Sequence, residues 1–166
     1  MYTYKEGCAF EKLSDIKEKK VTIMGLGLNG GGEAAVRFFV KHGASVTVTD
    51  MKDKAALFPT LKRLSEFENR VTYVLGKHRL QDFSDAYCVI KNPGVKIEGN
   101  KYLAKAKNIE TDISIFLHFS PSPIIAVTGS KGKSSTVSAI HYGLKKAGFN
   151  AFLGGNITVS PLTCLE

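Results

Sequence analysis

Two hydrophobic rhythms alternate along the chain. Residues 21–26 (VTIMGL) are a short β-branched apolar run that closes on glycine, the pattern of a strand buried on both faces. In the next stretch, GGEAAVRFFVKHG, apolar positions 34, 35, 38 and 39 share one helical face, and Gly43 suits a C-terminal stop. Residues 45–50 (SVTVTD) predict a second strand, residues 71–76 (VTYVLG) a third and residues 86–91 (AYCVIK) a fourth. Positions around 57–67 suggest a helix with Pro59 near its start. Residues 101–107 read as helical and 108–111 as a short fifth strand; ISIFLHF then reads as a helix with Asp112 as its N-cap.

Two prolines in SPSP, residues 120–123, cannot continue that helix, and a domain boundary is expected there. After it the rhythm restarts: strand 124–129 (IIAVTG), loop SKGKS, a helix over 134–148 and a strand over 150–155 (NAFLGG). Alternating strands and helices imply a parallel sheet with right-handed crossovers. The expected class is therefore α/β. A Rossmann-like parallel-sheet domain occupies residues 1–119, and the beginning of a second, P-loop-type α/β domain occupies residues 120–166.

Composition adds little about fold but narrows the partners. Of 166 residues 43% are hydrophobic and 23% charged, enough apolar material to bury a core. The formal net charge of +8 favours anionic ligands. The basic residues are scattered without interleaved aromatics, so nucleic acid is not expected. Cys8, Cys88 and Cys164 lie far apart with no Cys/His ligand spacing, which argues against structural zinc. An odd, sparse cysteine set fits a reducing compartment. No apolar run has the length of a signal peptide or a membrane span, so a cytoplasmic protein without a membrane partner is the expectation.

The chemistry lies in two glycine-rich loops. Residues 25–30 (GLGLNG) are a GxGxxG between a predicted strand and a predicted helix, and Asp50 ends the next strand. Glycines permit a tight turn and close approach of backbone to a diphosphate, and the helix N-terminus offers unpaired N–H groups and partial positive charge. A carboxylate at Asp50 suits a ribose or a base. Spacing alone leaves NAD, FAD and other diphosphate ligands open, as well as a tight turn without ligand. The NPGV turn, with Asn92, Pro93 and Gly94, follows the fourth strand and so falls on the same carboxyl edge of the sheet.

The second loop, TGSKGKSST, carries the GK[ST] core of a phosphate-binding loop. Backbone N–H groups would wrap phosphate oxygens, Lys133 would neutralise β/γ charge, and the Ser134 hydroxyl would reach Mg2+. Only two residues separate Gly129 from Gly132, fewer than in the standard GxxxxGK[ST] loop. The GGNI turn places Asn156 after the next predicted strand, where it would meet a phosphate or sugar.

Taken together, GLGLNG, NPG, ETDISIFLHF, TGSKGKSST and GGNI resemble, in order and spacing, the ATP-dependent Mur ligases of bacterial peptidoglycan synthesis, and among them the branch that adds D-glutamate to UDP-N-acetylmuramoyl-L-alanine. The resemblance runs from about residue 15 onward, and the short GxxGK[ST] spacing is a mark of that superfamily. It implies that the first loop holds the UDP of a nucleotide sugar rather than a dinucleotide, through Leu28, Asn29, Gly30, Asp50, Asn92, Pro93 and Gly94, with Asn156 near the substrate. It implies that Gly129, Ser130, Lys131, Gly132, Lys133, Ser134 and Ser135 hold ATP, with Lys133 acting in catalysis and Ser134 near magnesium. The family reaction forms an amide bond: ATP converts a carboxylate to an acyl phosphate, and an amino acid's amine displaces phosphate. Rival readings are another Mur-type amide ligase and a non-catalytic or NAD-binding module.

Three departures from the family pattern stand out. Lys131 replaces the usual Asn before GK, Thr158 replaces the usual Gly after GGNI, and the chain ends at Glu166, before the later central strands with their acidic metal ligands. The expectation is an N-terminal part of a longer ligase, inactive by itself.

Overall fold

The computed structural model describes residues 7–155 and 159–165. Its framework is a five-stranded, fully parallel sheet in the order β3-β2-β1-β4-β5, built from β1 (Lys20–Met24), β2 (Ser45–Asp50), β3 (Val71–Leu75), β4 (Cys88–Lys91) and β5 (Ile109–Glu110). The β-branched run at residues 21–24 becomes the central strand because both its faces are covered: Val21, Thr22, Ile23 and Met24 are all buried. Pairing β1 with both β2 and β4 makes the gap between β1 and β4 the switch point of the sheet, where the strand order reverses.

Alternation along the strands divides the core. On one face Val21, Ile23, Val46 and Val48 pack with Phe38, Phe39 and Ile115. These come from α1 (Gly31–Lys41) and α4 (Asp112–Phe119). On the other face Met24 and Val89 pack with Phe83 and Leu103, from α3 (Leu80–Ser84) and a 3-10 turn at Leu103–Lys105. Phe10, fully buried, extends the first core toward the N-terminus, where its ring meets Phe39 and Tyr87.

Several boundaries differ from the sequence expectations. Helix α2 spans Lys54–Arg63, so Pro59 lies inside it rather than near its start. The start is set instead by Asp53, whose side chain accepts a hydrogen bond from the Ala56 N–H at 2.9 Å. The N-cap of α4 is Thr111, not Asp112: Thr111 and Ser114 exchange hydrogen bonds in a capping box, and Asp112 becomes the first helical residue. The segment 101–107 contributes only the 3-10 turn.

Beyond residue 119 the expected helix forms as α5 (Lys133–Lys146), but residues 124–129 and 150–155 belong to no sheet. A parallel strand needs a neighbour for its hydrogen bonds, and among the described residues this stretch has none. Ile124, Ile125, Phe149 and Phe152 are exposed, and α5 buries no residue. The end of the chain behaves differently. A 3-10 turn at Pro161–Leu165 packs on α1 and α4, and Leu162 is fully buried in the first core.

Candidate functional site

The first loop leaves β1 at the carboxyl edge, beside the switch point. Gly25 and Gly27 have φ of 90° and 61°, and Gly30, with φ of 89°, caps α1. These left-handed conformations are ones that L side chains adopt only at a cost. The turn is tied to β2 at two levels. The Gly25 N–H donates to the Thr49 carbonyl at 2.8 Å, and the Gly27 N–H donates to Asp50 Oδ2 at 3.1 Å. Asp50 Oδ1 accepts from the Lys52 N–H at 2.9 Å, so one nearly buried carboxylate sets the loops after both β1 and β2. Thr60 of α2 holds the other side of Gly27, donating from Oγ1 to its carbonyl at 3.0 Å.

With the loop fixed from below, Leu28 and Asn29 stand exposed at its crest. No side chain caps α1, so its first N–H groups face the edge, where α2 and α4 have theirs occupied by Asp53 and Thr111. Across the switch point, the Asn92 N–H donates to the Met24 carbonyl at 2.9 Å, and Asn92 Oδ1 accepts from the Gly94 N–H at 3.0 Å. A Cβ on Gly25 would come within 2.9 Å of Asn92 Cβ, which shows how closely the two turns abut. The structure thus brings together Leu28, Asn29, Gly30, Asp50, Asn92, Pro93 and Gly94 on one sheet edge. Asn156 lies outside the described residues.

Behind this edge is a buried polar group that the sequence does not reveal. Asp112 accepts a 2.8 Å hydrogen bond from Ser160 Oγ on Oδ2, while its Oδ1 has no partner among the described residues. Oδ2 also lies 3.5 Å from where a Cβ on Gly31, the first residue of α1, would stand. Lys91, buried at the end of β4, donates to the Asn92 carbonyl at 3.2 Å. Burial pushes its ammonium pKa down, against the opposing pull of the Asp112 charge. Gly32 was also missed as a distinct position. A Cβ there would lie 2.3 Å from the Leu26 carbonyl oxygen, so Gly32, not Gly30, is where helix and loop backbone come closest.

The second loop has the same local ending. Gly132, with φ of 78°, caps α5 without a side-chain hydrogen bond. Gly129, Ser130, Lys131, Gly132, Lys133, Ser134 and Ser135 are all exposed, and Lys133 Nζ donates to the Gly129 carbonyl at 2.7 Å. The lysine therefore closes over the loop it would share with a phosphate.

A doubly wound parallel sheet with a glycine loop at its switch point defines a broad class of α/β domains. Within it, the family described as Mur ligase MurD-like, N-terminal domain, matches residues 19–115, and the chain belongs to that family. The UDP-N-acetylmuramoylalanine--D-glutamate ligase of Treponema pallidum (strain Nichols) is 56% identical over 89% of this chain and 28% of its own length. The ligase of the same name from Borreliella afzelii (strain PKo) is 52% identical over 93% of this chain and 34% of its own. The chain thus spans roughly a third of these relatives, between 28% and 34%. Among solved structures, a pseudomurein peptide ligase type C from Methanothermus fervidus overlaps 79% of this chain and 27% of its own, with 24% identity and a TM-score of 0.45. No helix among the described residues is long and apolar enough to cross a membrane.

Proposed function

We propose that this chain is the nucleotide-substrate-binding part of an ATP-dependent ligase that joins D-glutamate to UDP-N-acetylmuramoyl-L-alanine in peptidoglycan synthesis, in the cytoplasm. One observation carries the reading. The two glycine loops each end in a left-handed glycine cap that leaves the following helix, α1 or α5, without a side-chain cap; α2 and α4 are capped by side chains, and the short α3, also uncapped, follows Arg79 in an extended conformation rather than a glycine turn. Uncapped N-termini behind glycine turns suit phosphates, since their N–H groups are unpaired and the helix end is partly positive. Two of them suit two phosphate-bearing substrates, which a single dinucleotide site would not need.

In this reading the N–H groups from Leu28 to Gly30, and that of Gly94 once it leaves Asn92 Oδ1, bind the uridine diphosphate, Leu28 covers it with apolar surface, and Asp50 keeps the turn in shape. Asn156 stands near the sugar. At the second loop, Gly129 to Ser135 wrap the ATP phosphates. Lys133 leaves the Gly129 carbonyl for a phosphate oxygen, exchanging a neutral acceptor for a charged one. There it offsets charge that builds during phosphoryl transfer. ATP would supply the γ-phosphoryl group that turns a carboxylate into an acyl phosphate, with ADP as the leaving group. Magnesium takes an octahedral shell of oxygens. The exposed Ser134 hydroxyl offers one, so the ion would be held chiefly by phosphate oxygens and water. Residues 120–166 are proposed to begin a second, ATP-binding domain, whose turn at Pro161–Leu165 packs on α1 and α4 of the first. For these 166 residues alone we propose binding without turnover.

Calorimetric titration of the chain with UDP-N-acetylmuramoyl-L-alanine, UDP and NADH tests the reading. Binding of both uridine ligands with NADH weakest is expected. A preference for NADH would replace the ligase reading with a redox or sensory module.

A further inference from the structure

The carbonyl of Gly27 ends a hydrogen-bonded chain that begins on α1. Glu33 Oε2 accepts from Arg63 Nε of α2 at 2.6 Å. Arg63 Nη2 donates to Thr60 Oγ1 at 3.1 Å, and Thr60 Oγ1 donates to the Gly27 carbonyl at 3.0 Å. Arg37 of α1 reinforces the joint: its Nη2 donates to the Arg63 carbonyl at 2.6 Å, and its guanidinium pairs with Glu33 and Glu66. Thr60 is fully buried, whereas the Arg63 side chain is 46% exposed.

Counting hydrogens fixes the direction of the chain. Thr60 Oγ1 has one hydrogen; a guanidinium only donates and a carbonyl only accepts. Both contacts are satisfied together when the hydroxyl accepts from Arg63 and gives its hydrogen to Gly27. Threonine within a helix commonly bonds back to a carbonyl of its own preceding turn. The Thr60 hydroxyl reaches out of α2 instead, into the first loop.

That bond orients the peptide it holds. The Gly27 carbonyl and the Leu28 N–H belong to one planar trans peptide, in which the two groups point opposite ways. With the carbonyl drawn to α2, the Leu28 N–H points away from α2, and it has no acceptor among the described residues. Gly27, with φ of 61°, lacks the Cβ that would restrict rotation of this peptide. Asp50 holds only the Gly27 N–H, which belongs to the preceding peptide. Thr60 is therefore the group that holds the peptide after Gly27.

We propose that Thr60, held in turn by Arg63 and Glu33, is a positioning residue for anion binding at the first loop: it keeps the Leu28 N–H aimed at a phosphate oxygen without touching the ligand. This rests on the reading of that loop as a uridine diphosphate site. A flipped peptide would turn the Gly27 carbonyl oxygen toward the phosphate and replace attraction with repulsion.

The test is calorimetric binding of UDP to the wild-type chain, T60V, T60S and R63M, together with amide spectra of the nitrogen-15-labelled chains at saturating UDP. T60V replaces the hydroxyl by a methyl group of similar size and leaves the Gly27 carbonyl unheld, T60S keeps the hydroxyl, and R63M removes the donor from a partly exposed position. The wild type should bind UDP about tenfold more tightly than T60V, about 1.4 kcal/mol. T60S should stay within about twofold of wild type, and R63M should bind about threefold more weakly. UDP should move the Leu28 amide proton downfield in the wild type and T60S and much less in T60V and R63M, while the Gly30 amide moves alike in all four. Wild-type affinity with a wild-type Leu28 shift in T60V, or failure of T60S to restore both, would overturn the positioning role while leaving the loop's role intact. Loss of the Leu28 and Gly30 shifts together would mark a general support of the loop and overturn it as well. Should T60V not fold, R63M decides by the same two readouts. No UDP binding to the wild type would overturn the loop's role and this inference together.

Discussion

Substituting Gly32 by alanine separates two reasons for glycine in the same loop. Gly32 sits in the first turn of α1, and a Cβ there would meet the Leu26 carbonyl oxygen at 2.3 Å, Leu26 Cα at 2.7 Å and the Gly25 carbonyl oxygen at 2.8 Å. Comfortable contact for a carbon begins at about 3.5 Å. All three neighbours are backbone, so none can rotate away; the helix must retreat by about 1 Å or the loop must refold. Inserting one carbon into a packed interior costs about 1–3 kcal/mol, and backbone on every side puts G32A at the upper end. For a chain of this size about 3 kcal/mol lowers Tm by about 6–12 °C. Gly30 is the control. A Cβ there meets nothing within 4 Å, and only its φ of 89° opposes a side chain. The left-handed conformation costs about 1–2 kcal/mol, partly offset by the stiffer unfolded chain, so G30A should lose about 1 kcal/mol. Urea unfolding followed by circular dichroism measures both. If G32A stays within about 0.5 kcal/mol of wild type, or loses less than G30A, the close approach of α1 to the first loop is wrong.

Removing Asp50's carboxylate as D50A should release the Gly27 and Lys52 N–H groups, lowering stability by about 1–3 kcal/mol and weakening UDP more than ATP; an equal loss for both nucleotides would contradict a role confined to the first loop. S160A should strip the remaining partner from the buried Asp112 carboxylate and destabilise by about 1–3 kcal/mol. Adding D112N to S160A should recover part of that loss in a double-mutant cycle, and strict additivity would argue against the contact. Leu162→Ala should cost about 2–5 kcal/mol if the C-terminal turn is seated in the first core, as chemical denaturation would report. Cys164 is exposed and Cys88 fully buried, so alkylation of the folded chain, read by peptide mass spectrometry, should reach Cys164 and spare Cys88; equal labelling of the two would contradict the burial of Cys88 in the sheet.

Local chemistry made the sheet domain readable. The run around Val21–Met24 could only be a covered strand, and the apolar face of α1 and the glycine spacing at Gly25, Gly27 and Gly30 fixed the crossover that follows. Boundaries slipped where two residues compete for one job. Asp112 and Thr111 are both good caps, and the reciprocal bond with Ser114 decides for Thr111. Pro59 suggested a helix start, but Asp53 had already capped the helix nearly two turns earlier. The strands expected at residues 124–129 and 150–155 failed for a non-local reason: a strand is defined by its neighbour, and apolar content alone cannot supply one. The contacts of Thr60 with Gly27 and of Ser160 with Asp112 gave no local signal either, since each spans at least 33 positions. Gly32 lay in plain view within GLGLNGGG, yet only packing separates its role from that of Gly30.

The central claim is that the two glycine loops take different nucleotides, and amide chemical-shift mapping of the nitrogen-15-labelled chain tests it most directly. Adding UDP should move the amides of Gly27, Asn29, Gly30 and Gly94 and leave Gly132, Lys133 and Ser134 in place, while ATP should do the reverse. If both nucleotides shift the same loop, or NADH displaces UDP from Gly27 and Gly30, the account fails.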